Sequence, residues 1–214
     1  MLSDMVNSAN HPEDAQIHFF TGTYFLMPHE LLGREIVELD LGCGCGSYTC
    51  ELAKRFPERQ ILAADVMVGR LRKVVKRANR MELENLAVLR TEARHLIALM
   101  MPDRSLDRIH LLCPDPWPKD RHKGHRLLAS DFLSQLHRVL KDDGIFHFSS
   151  DDVPYCEAVE KLLLSSDIFV SAPEAIEELK DIKSDFERRW NDEGKAVKHI
   201  AFRKVPRPFA SIGH

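Results

Sequence analysis

The sequence predicts an α/β fold: a doubly wound, mostly parallel sheet with helices on both faces. Three observations carry this. Short apolar strands alternate with helical stretches of about a dozen residues, the pattern of parallel sheets whose crossovers are helices. The first of these strands runs into a turn with three alternating glycines, Gly42, Gly44 and Gly46. Acidic residues, Asp65 and Glu92, then stand at the ends of the next two strands.

Taken in order, residues 1–17 are polar and are expected to form a flexible arm. The aromatic-rich stretch HFFTGTYFLMPHELL should dock on the domain, because so much apolar surface is costly to leave in water. Ile36–Leu41 reads as a buried strand, and an apolar-periodic helix runs from about Ser47 to Phe56. Ile61–Asp65 is the second strand, and Val68–Arg80 is a helix whose Leu71, Val74, Val75 and Ala78 share one stripe. Leu86–Leu89 is the third strand, and Arg94–Met101 is a short helix that Pro102 ends. Leu106–Cys113 is the fourth strand and enters a proline-broken loop, PDPWPKDRHKGH. Ser130 is placed to cap a helix with Phe132, Leu133, Leu136, Val139 and Leu140 on one face. Asp142-Asp143-Gly144 stops it before a fifth strand, Ile145–Phe148, and a helix over Pro154–Ser165. Ser171-x-x-Glu174 has the form of a capping box for a last helix. Ala196–Arg203 alternates as a closing strand, expected to run antiparallel at a sheet edge. The sequence has no internal repeat and no composition shift, so residues 1–214 are read as one domain.

Thirty Lys and Arg against 33 Asp and Glu give a formal net charge of −3, so a nucleic-acid partner must be met by a local basic patch. Cys43, Cys45, Cys50, Cys113 and Cys156 are odd in number and lack the spacing of a metal knuckle or disulfide framework. They are expected to be free thiols in a reducing, cytoplasmic compartment, with no metal bound. The first residues lack the basic-then-apolar pattern of a secretory signal, and no run of 18 apolar residues offers a membrane span.

The turn Gly42-Cys-Gly44-Cys-Gly46 lets the backbone bend tightly and approach a ligand at the carboxyl end of the first strand. Nicotinamide enzymes also place glycines here, but as G-x-G-x-x-G, whereas this chain has G-x-G-x-G. Asp40, two residues ahead of the first glycine, is placed to face a cationic ligand. Asp65 can accept from both hydroxyls of a ribose, and Glu92 can meet the adenine edge.

The loop Cys113-Pro-Asp115-Pro-Trp117-Pro-Lys119-Asp-Arg121-His122 resembles the signature loop of the bacterial tRNA (guanine-N7)-methyltransferases. The likeness extends over residues 37–203. It takes in the glycine turn, Asp65, Asn85 and Glu92-Ala93, then His147-Phe-Ser-Ser-Asp151 with Pro154-Tyr155, and finally Ser184-Asp-Phe186-Glu187. The resemblance implies a Rossmann-like class I methyltransferase fold with seven strands, and S-adenosyl-L-methionine as cofactor. Asp40, Gly42, Gly44, Gly46, Asp65, Glu92 and Asp115 would then line the cofactor site, with Asp115 as the catalytic residue. Lys119, Asp151, Ser184 and Glu187 would contact a guanosine of tRNA. Three acids are exchanged for the other carboxylic residue relative to the family pattern, and Ser184 stands for a threonine. Guanine N7 already carries a lone pair, so its methylation needs alignment and charge stabilisation rather than a general base. Trp117 fits either a plug that anchors the loop or a platform for the base.

The likeness weakens after the loop. The family usually follows it with histidine and a Lys-Arg-Arg cluster; here the chain reads His122-Lys-Gly124-His125-Arg126. Each absent cation removes a phosphate contact and part of a salt-dependent affinity. Arg70, Arg72, Lys73, Lys76, Arg77 and Arg80 crowd one helix and either substitute for that cluster or form a solvated face. Two alternatives therefore stand beside the tRNA enzyme: a methyltransferase for another RNA or a small guanine-like substrate, and a non-catalytic binding relative of the same fold. A monomer and a homodimer both fit the sequence.

Overall fold

The computed structural model describes residues 11–20, 26–114 and 130–206. Its strands are β1 (Ile17–Phe19), β2 (Val37–Leu41), β3 (Gln60–Asp65), β4 (Leu86–Arg90), β5 (Leu106–Leu112), β6 (Leu140–Ser150), β7 (Phe169–Ser171) and β8 (Lys198–Lys204). They form one sheet in the order β1-β4-β3-β2-β5-β6-β8-β7. The pairs from β1 to β6 are parallel, whereas β8 runs antiparallel to both β6 and β7. Helices α1 (Ser47–Arg55), α2 (Val68–Arg80), α3 (Ala93–His95, continued by a π-helical turn over Leu96–Met100), α4 (Ser130–Val139), α5 (Val153–Leu164) and α6 (Asp185–Asp192) complete the chain.

The central strands are buried on both faces, the condition a parallel sheet covered by helices imposes, and they are mainly apolar apart from a few buried polar positions such as Glu38, Asp40 and His110. Every residue of β2 is buried, and β3 is buried from Ile61 onward. Helix α2 buries Leu71, Val74, Val75 and Ala78, the expected stripe, and leaves its basic residues on the other side. Removing each large apolar side chain from water is worth about 1.5–3 kcal/mol, so this stripe fixes the helix more firmly than its surface charges do. From β2 the chain proceeds to β3 and β4 on one side, and later to β5 and β6 on the other. The strand order reverses between β2 and β5, which opens a crevice at their carboxyl ends.

The structure corrects several expectations. The sheet has eight strands rather than seven, since Ile17–Phe19 adds an edge strand beside β4. Residues 12–17 are consequently not part of a free arm: Pro12–Gln16 form a 3-10 helix and Ile17 is buried. Arg72 donates to both carboxylate oxygens of Asp14 at 2.7 and 2.8 Å, and Lys76 stands 3.5 Å from Glu13. The closing strand is antiparallel as expected but interior, because the three-residue β7 covers its outer edge. Ser171 caps nothing; Pro173–Leu179 is a 3-10 helix without a side-chain cap, and the last helix begins after Ser184, whose hydroxyl accepts from the Glu187 amide at 3.1 Å. Leu140 opens β6 instead of closing the preceding helix. Asn85 is structural: its buried amide donates to the carbonyls of Ala53, Phe56 and Arg59, tying α1 to the start of β3.

Candidate active site

The glycine turn is held against the end of β3, where the amides of Gly42 and Cys43 both donate to the Ala64 carbonyl at 2.8 and 3.0 Å. Gly46 has φ +75°, and a Cβ there would lie 2.8 Å from a Val74 methyl, so only glycine lets the start of α1 approach α2 this closely. Gly44 also has positive φ, but a Cβ there would meet no atom within 4 Å. That face of the turn is open, and it opens on a cavity of about 490 Å³. Asp40, Asp65, Arg70, Ala93 and residues 111–114 line its base and one side, and Ser184, Asp185, Phe186 and Arg189 reach it from α6. A volume of this order suits a nucleoside-sized ligand.

Asp65 is anchored by two backbone amides: Gly44 N–H donates to one carboxylate oxygen at 3.1 Å, and Met67 N–H to the other at 2.8 Å. Each oxygen keeps a lone pair for a further donor, as a ribose contact requires. Asp40 is buried at the base of the cavity, where the Thr49 hydroxyl donates to its carboxylate. Burial pushes its carboxyl up to about 7, against the Thr49 bond and reinforced by the nearby Asp65 charge. A cation in the cavity would favour its ionised form.

Of the remaining expected site residues, Gly42, Gly44, Ser184 and the neighbours of Asp115 meet at this cavity, with Pro114 at its rim. Gly46 stands behind the turn. Glu92 caps α3, accepting from the amides of Arg94 and His95 at 3.0 and 2.8 Å, and does not line the cavity; Ala93 does. Asp151 follows β6 outside the cavity wall. Asp115, Trp117, Lys119 and the segment from Arg121 to Arg126 lie outside the described residues. The basic helix is largely committed to internal pairs, since Arg72, Lys76 and Arg77 face Asp14, Glu13 and Asp185.

Sequence reasoning missed a buried polar row beside the cavity. His110 Nε2 lies 2.9 Å from Glu38 Oε2, His110 Nδ1 2.9 Å from His147 Nδ1, and His147 Nε2 2.9 Å from His199 Nδ1. His199 Nε2 then stands 3.4 Å from Glu187 Oε1. Arg59 and Arg108 close the far end on Glu38 at 2.6 and 3.5 Å. Burial opposes ionisation of Glu38, but the His110 bond and both arginines override it and bring its carboxyl to about 2. His110 is pushed down by burial, partly offset by Glu38; His147 is driven well down by burial and by its two histidine neighbours. The available signal was charged or histidine residues at alternate positions of otherwise apolar strands, at 38, 108, 110 and 147. Among the described residues, no cluster of histidine, cysteine and acidic groups is arranged to hold a metal ion, and no helix is long and apolar enough to cross a membrane.

A glycine turn at the switch point of a mostly parallel sheet, followed by an acid at the next strand end and closed by an antiparallel pair, defines the class I methyltransferase fold. Solved structures share it. The 16S rRNA methyltransferase KamB superposes with a TM-score of 0.62 at 20% identity, over 83% of this chain and 92% of that one. The antibiotic-resistance methyltransferase Kmr gives 0.56 at 16% identity, over 84% and 92%. The profile of a family described as "Putative methyltransferase" matches residues 34–200. The tRNA (guanine-N(7)-)-methyltransferase of Thermotoga maritima is 33% identical over 179 residues, which are 82% of this chain and 56% of that protein. The enzyme of the same name from Syntrophotalea carbinolica is 34% identical over 176 residues, 81% of this chain and 76% of its own length. The chain belongs to the tRNA (guanine-N7)-methyltransferase family.

Proposed function

We propose that this protein transfers a methyl group from S-adenosyl-L-methionine to N7 of a guanosine in tRNA. The observation that carries the reading is the single cavity wall shared by the glycine turn, Asp40, Asp65 and the first residue of the Pro-Asp-Pro-Trp-Pro-Lys loop, Pro114. The open face at Gly42 and Gly44, where no atom would meet a Cβ, is a cradle that fits the cofactor's backbone-contacting part. Asp65 would take the ribose hydroxyls, and the enclosed Asp40 carboxylate would favour the cationic end. The bound cofactor supplies an electrophilic methyl group on a sulfonium.

The protein's own residues supply position and potential. The lone pair of guanine N7 needs no base, so the site must hold the ring in line and offset the positive charge that develops on it. Asp115, on a loop whose prolines at 114, 116 and 118 reduce the entropy of ordering it, is proposed to fix the base and place negative potential beside it. Lys119, Asp151, Ser184 and Glu187 are proposed guanosine contacts; of these, Ser184 borders the cavity and Glu187 stands one helical turn behind it.

The test is methyl transfer from labelled donor to three acceptors offered separately: unmodified tRNA, ribosomal RNA and free GTP. Label entering tRNA alone is the expected result. Transfer to ribosomal RNA or GTP in preference would replace the substrate assignment, and transfer to none would overturn the activity.

A further inference from the structure

The row of three histidines is polarised in one direction, and following it atom by atom locates a proton. Glu38 is ionised and can only accept, so His110 carries its hydrogen on Nε2. A neutral His110 then presents a bare Nδ1 to His147 Nδ1 at 2.9 Å, and two lone pairs cannot face each other at that distance. His147 must therefore donate from Nδ1, which leaves its Nε2 as an acceptor. His199 in turn must donate from Nδ1 to His147 Nε2 at 2.9 Å. The Tyr48 hydroxyl, 3.3 Å from His110 Nδ1, is a second donor to that atom and reinforces the same polarity.

The last contact is then the odd one. A neutral His199 with hydrogen on Nδ1 would point a bare Nε2 at the Glu187 carboxylate, acceptor against acceptor. The geometry points to a hydrogen on Nε2 as well, so that His199 faces Glu187 Oε1 at 3.4 Å as an ion pair and is the residue that positions Glu187 for the guanosine. The inference rests on the proposed role of Glu187 in substrate binding. Glu187 sits at the amino end of α6, where the Ser184 hydroxyl fixes its amide and Lys183 Nζ lies 3.7 Å from the same Oε1. The charge of Glu187 is felt in turn by Tyr48 and Cys113, both pushed up mainly by burial. His199 faces His147 across the β6–β8 pair and Glu187 on α6. The strands β2, β5, β6 and β8 each contribute one member of the row, so the sheet's register, rather than a flexible loop, sets the polarity.

Two measurements on the intact protein decide this. The first is ¹⁵N NMR of histidine-labelled protein near neutral pH, which reports the proton on each ring nitrogen without reference to activity. Hydrogen on Nε2 of His110, on Nδ1 of His147 and on both nitrogens of His199 is expected. Hydrogen on Nε2 of His147, or a bare Nε2 on His199, overturns the assignment. The second is single-turnover transfer to tRNA at saturating cofactor for wild type, His199→Gln and His199→Leu, each first shown by melting to be folded. His199→Gln keeps an N–H for Glu187 and should stay within about threefold of wild type, while His199→Leu should lower kcat/KM about tenfold or more with cofactor affinity retained. A His199→Leu rate within about threefold of wild type, or a loss in His199→Gln as large as that in His199→Leu, removes the positioning role. If wild type methylates no tRNA at all, the functional reading fails, and the NMR result alone judges the proton assignment.

Discussion

If Asp40 faces the cationic end of the cofactor, as proposed, binding should be a proton-linked event. The Asp40 carboxyl lies deep under the glycine turn, bonded by Thr49, and burial pushes it up to about 7. With that value, roughly one carboxyl in ten would be ionised at pH 6 in the ligand-free protein, and roughly nine in ten at pH 8. If the ionised form is what the cationic ligand selects, affinity should rise about tenfold between these pH values, corresponding to about 1.4 kcal/mol. Binding should also release close to one proton at pH 6 and almost none at pH 8. Titration calorimetry in two buffers of different ionisation enthalpy measures both quantities. Asp40→Asn should bind more weakly at pH 8 and lose the proton release, which separates this group from any titration of the ligand itself. The sign for stability is opposite. An acid whose folded pKa exceeds its unfolded value costs stability as pH rises from about 4 to 7, so Asp40→Asn should make the ligand-free protein more stable at pH 8, by up to about 4 kcal/mol. An affinity that does not change from pH 6 to 8, with no buffer-dependent heat, would refute the argument.

Three further outcomes follow from the same geometry. Asp65→Ala should weaken cofactor binding by about 1–3 kcal/mol, since it removes the proposed ribose acceptor and leaves the Gly44 and Met67 amides unpaired; unchanged calorimetric affinity would reject the contact. Gly46→Ala combines positive φ with a 2.8 Å approach to Val74 and should cost about 2 kcal/mol or more in denaturant melts, whereas a loss below about 0.5 kcal/mol would mean that α1 shifts freely. Glu38→Gln leaves two arginines beside a buried amide and should destabilise the protein by about 3–5 kcal/mol at pH 7. Because the folded carboxyl sits at about 2, the wild-type advantage is full above about pH 4.5 and fades as pH falls toward 2, so the two melting curves should converge in acid.

The parts of this fold that were legible in the sequence share a cause: each is dictated by residues close together in the chain. The α2 stripe, the buried β2 and β3, and the glycine turn follow from local periodicity and backbone freedom. What escaped is set by pairing across the sheet. Ile17–Phe19 is three residues long beside a polar segment, and only β4 makes it a strand. The acids at 13 and 14 looked like solvent-facing charge until α2 brought Arg72 and Lys76 to them. The same helix face therefore has fewer cations to offer RNA than its composition implied. Ser171-x-x-Glu174 and Ser184-x-x-Glu187 have the same form, and the first fails because Pro173 opens a 3-10 turn after Ala172 instead. Glu92 was expected at the adenine edge; its oxygens accept from the amides of Arg94 and His95 at the start of α3, and its neighbour Ala93 lines the cavity. The histidine row is assembled across four strands: alternate charged or histidine positions at 38, 108, 110 and 147 hint at it, but the strand order that joins its members is not written in any one segment.

The central claim is the transfer of a methyl group to guanine N7 in tRNA, and it is tested most directly by nucleoside mass spectrometry. Purified protein is incubated with deuterated-methyl cofactor and tRNA lacking modifications, and the digest is resolved against synthetic methylguanosines. The account predicts deuterated N7-methylguanosine, recovered at a defined position in sequence mapping and strongly reduced with Asp115→Asn. Label on another nitrogen, on another base, or on no nucleoside while the protein still binds the cofactor would contradict it.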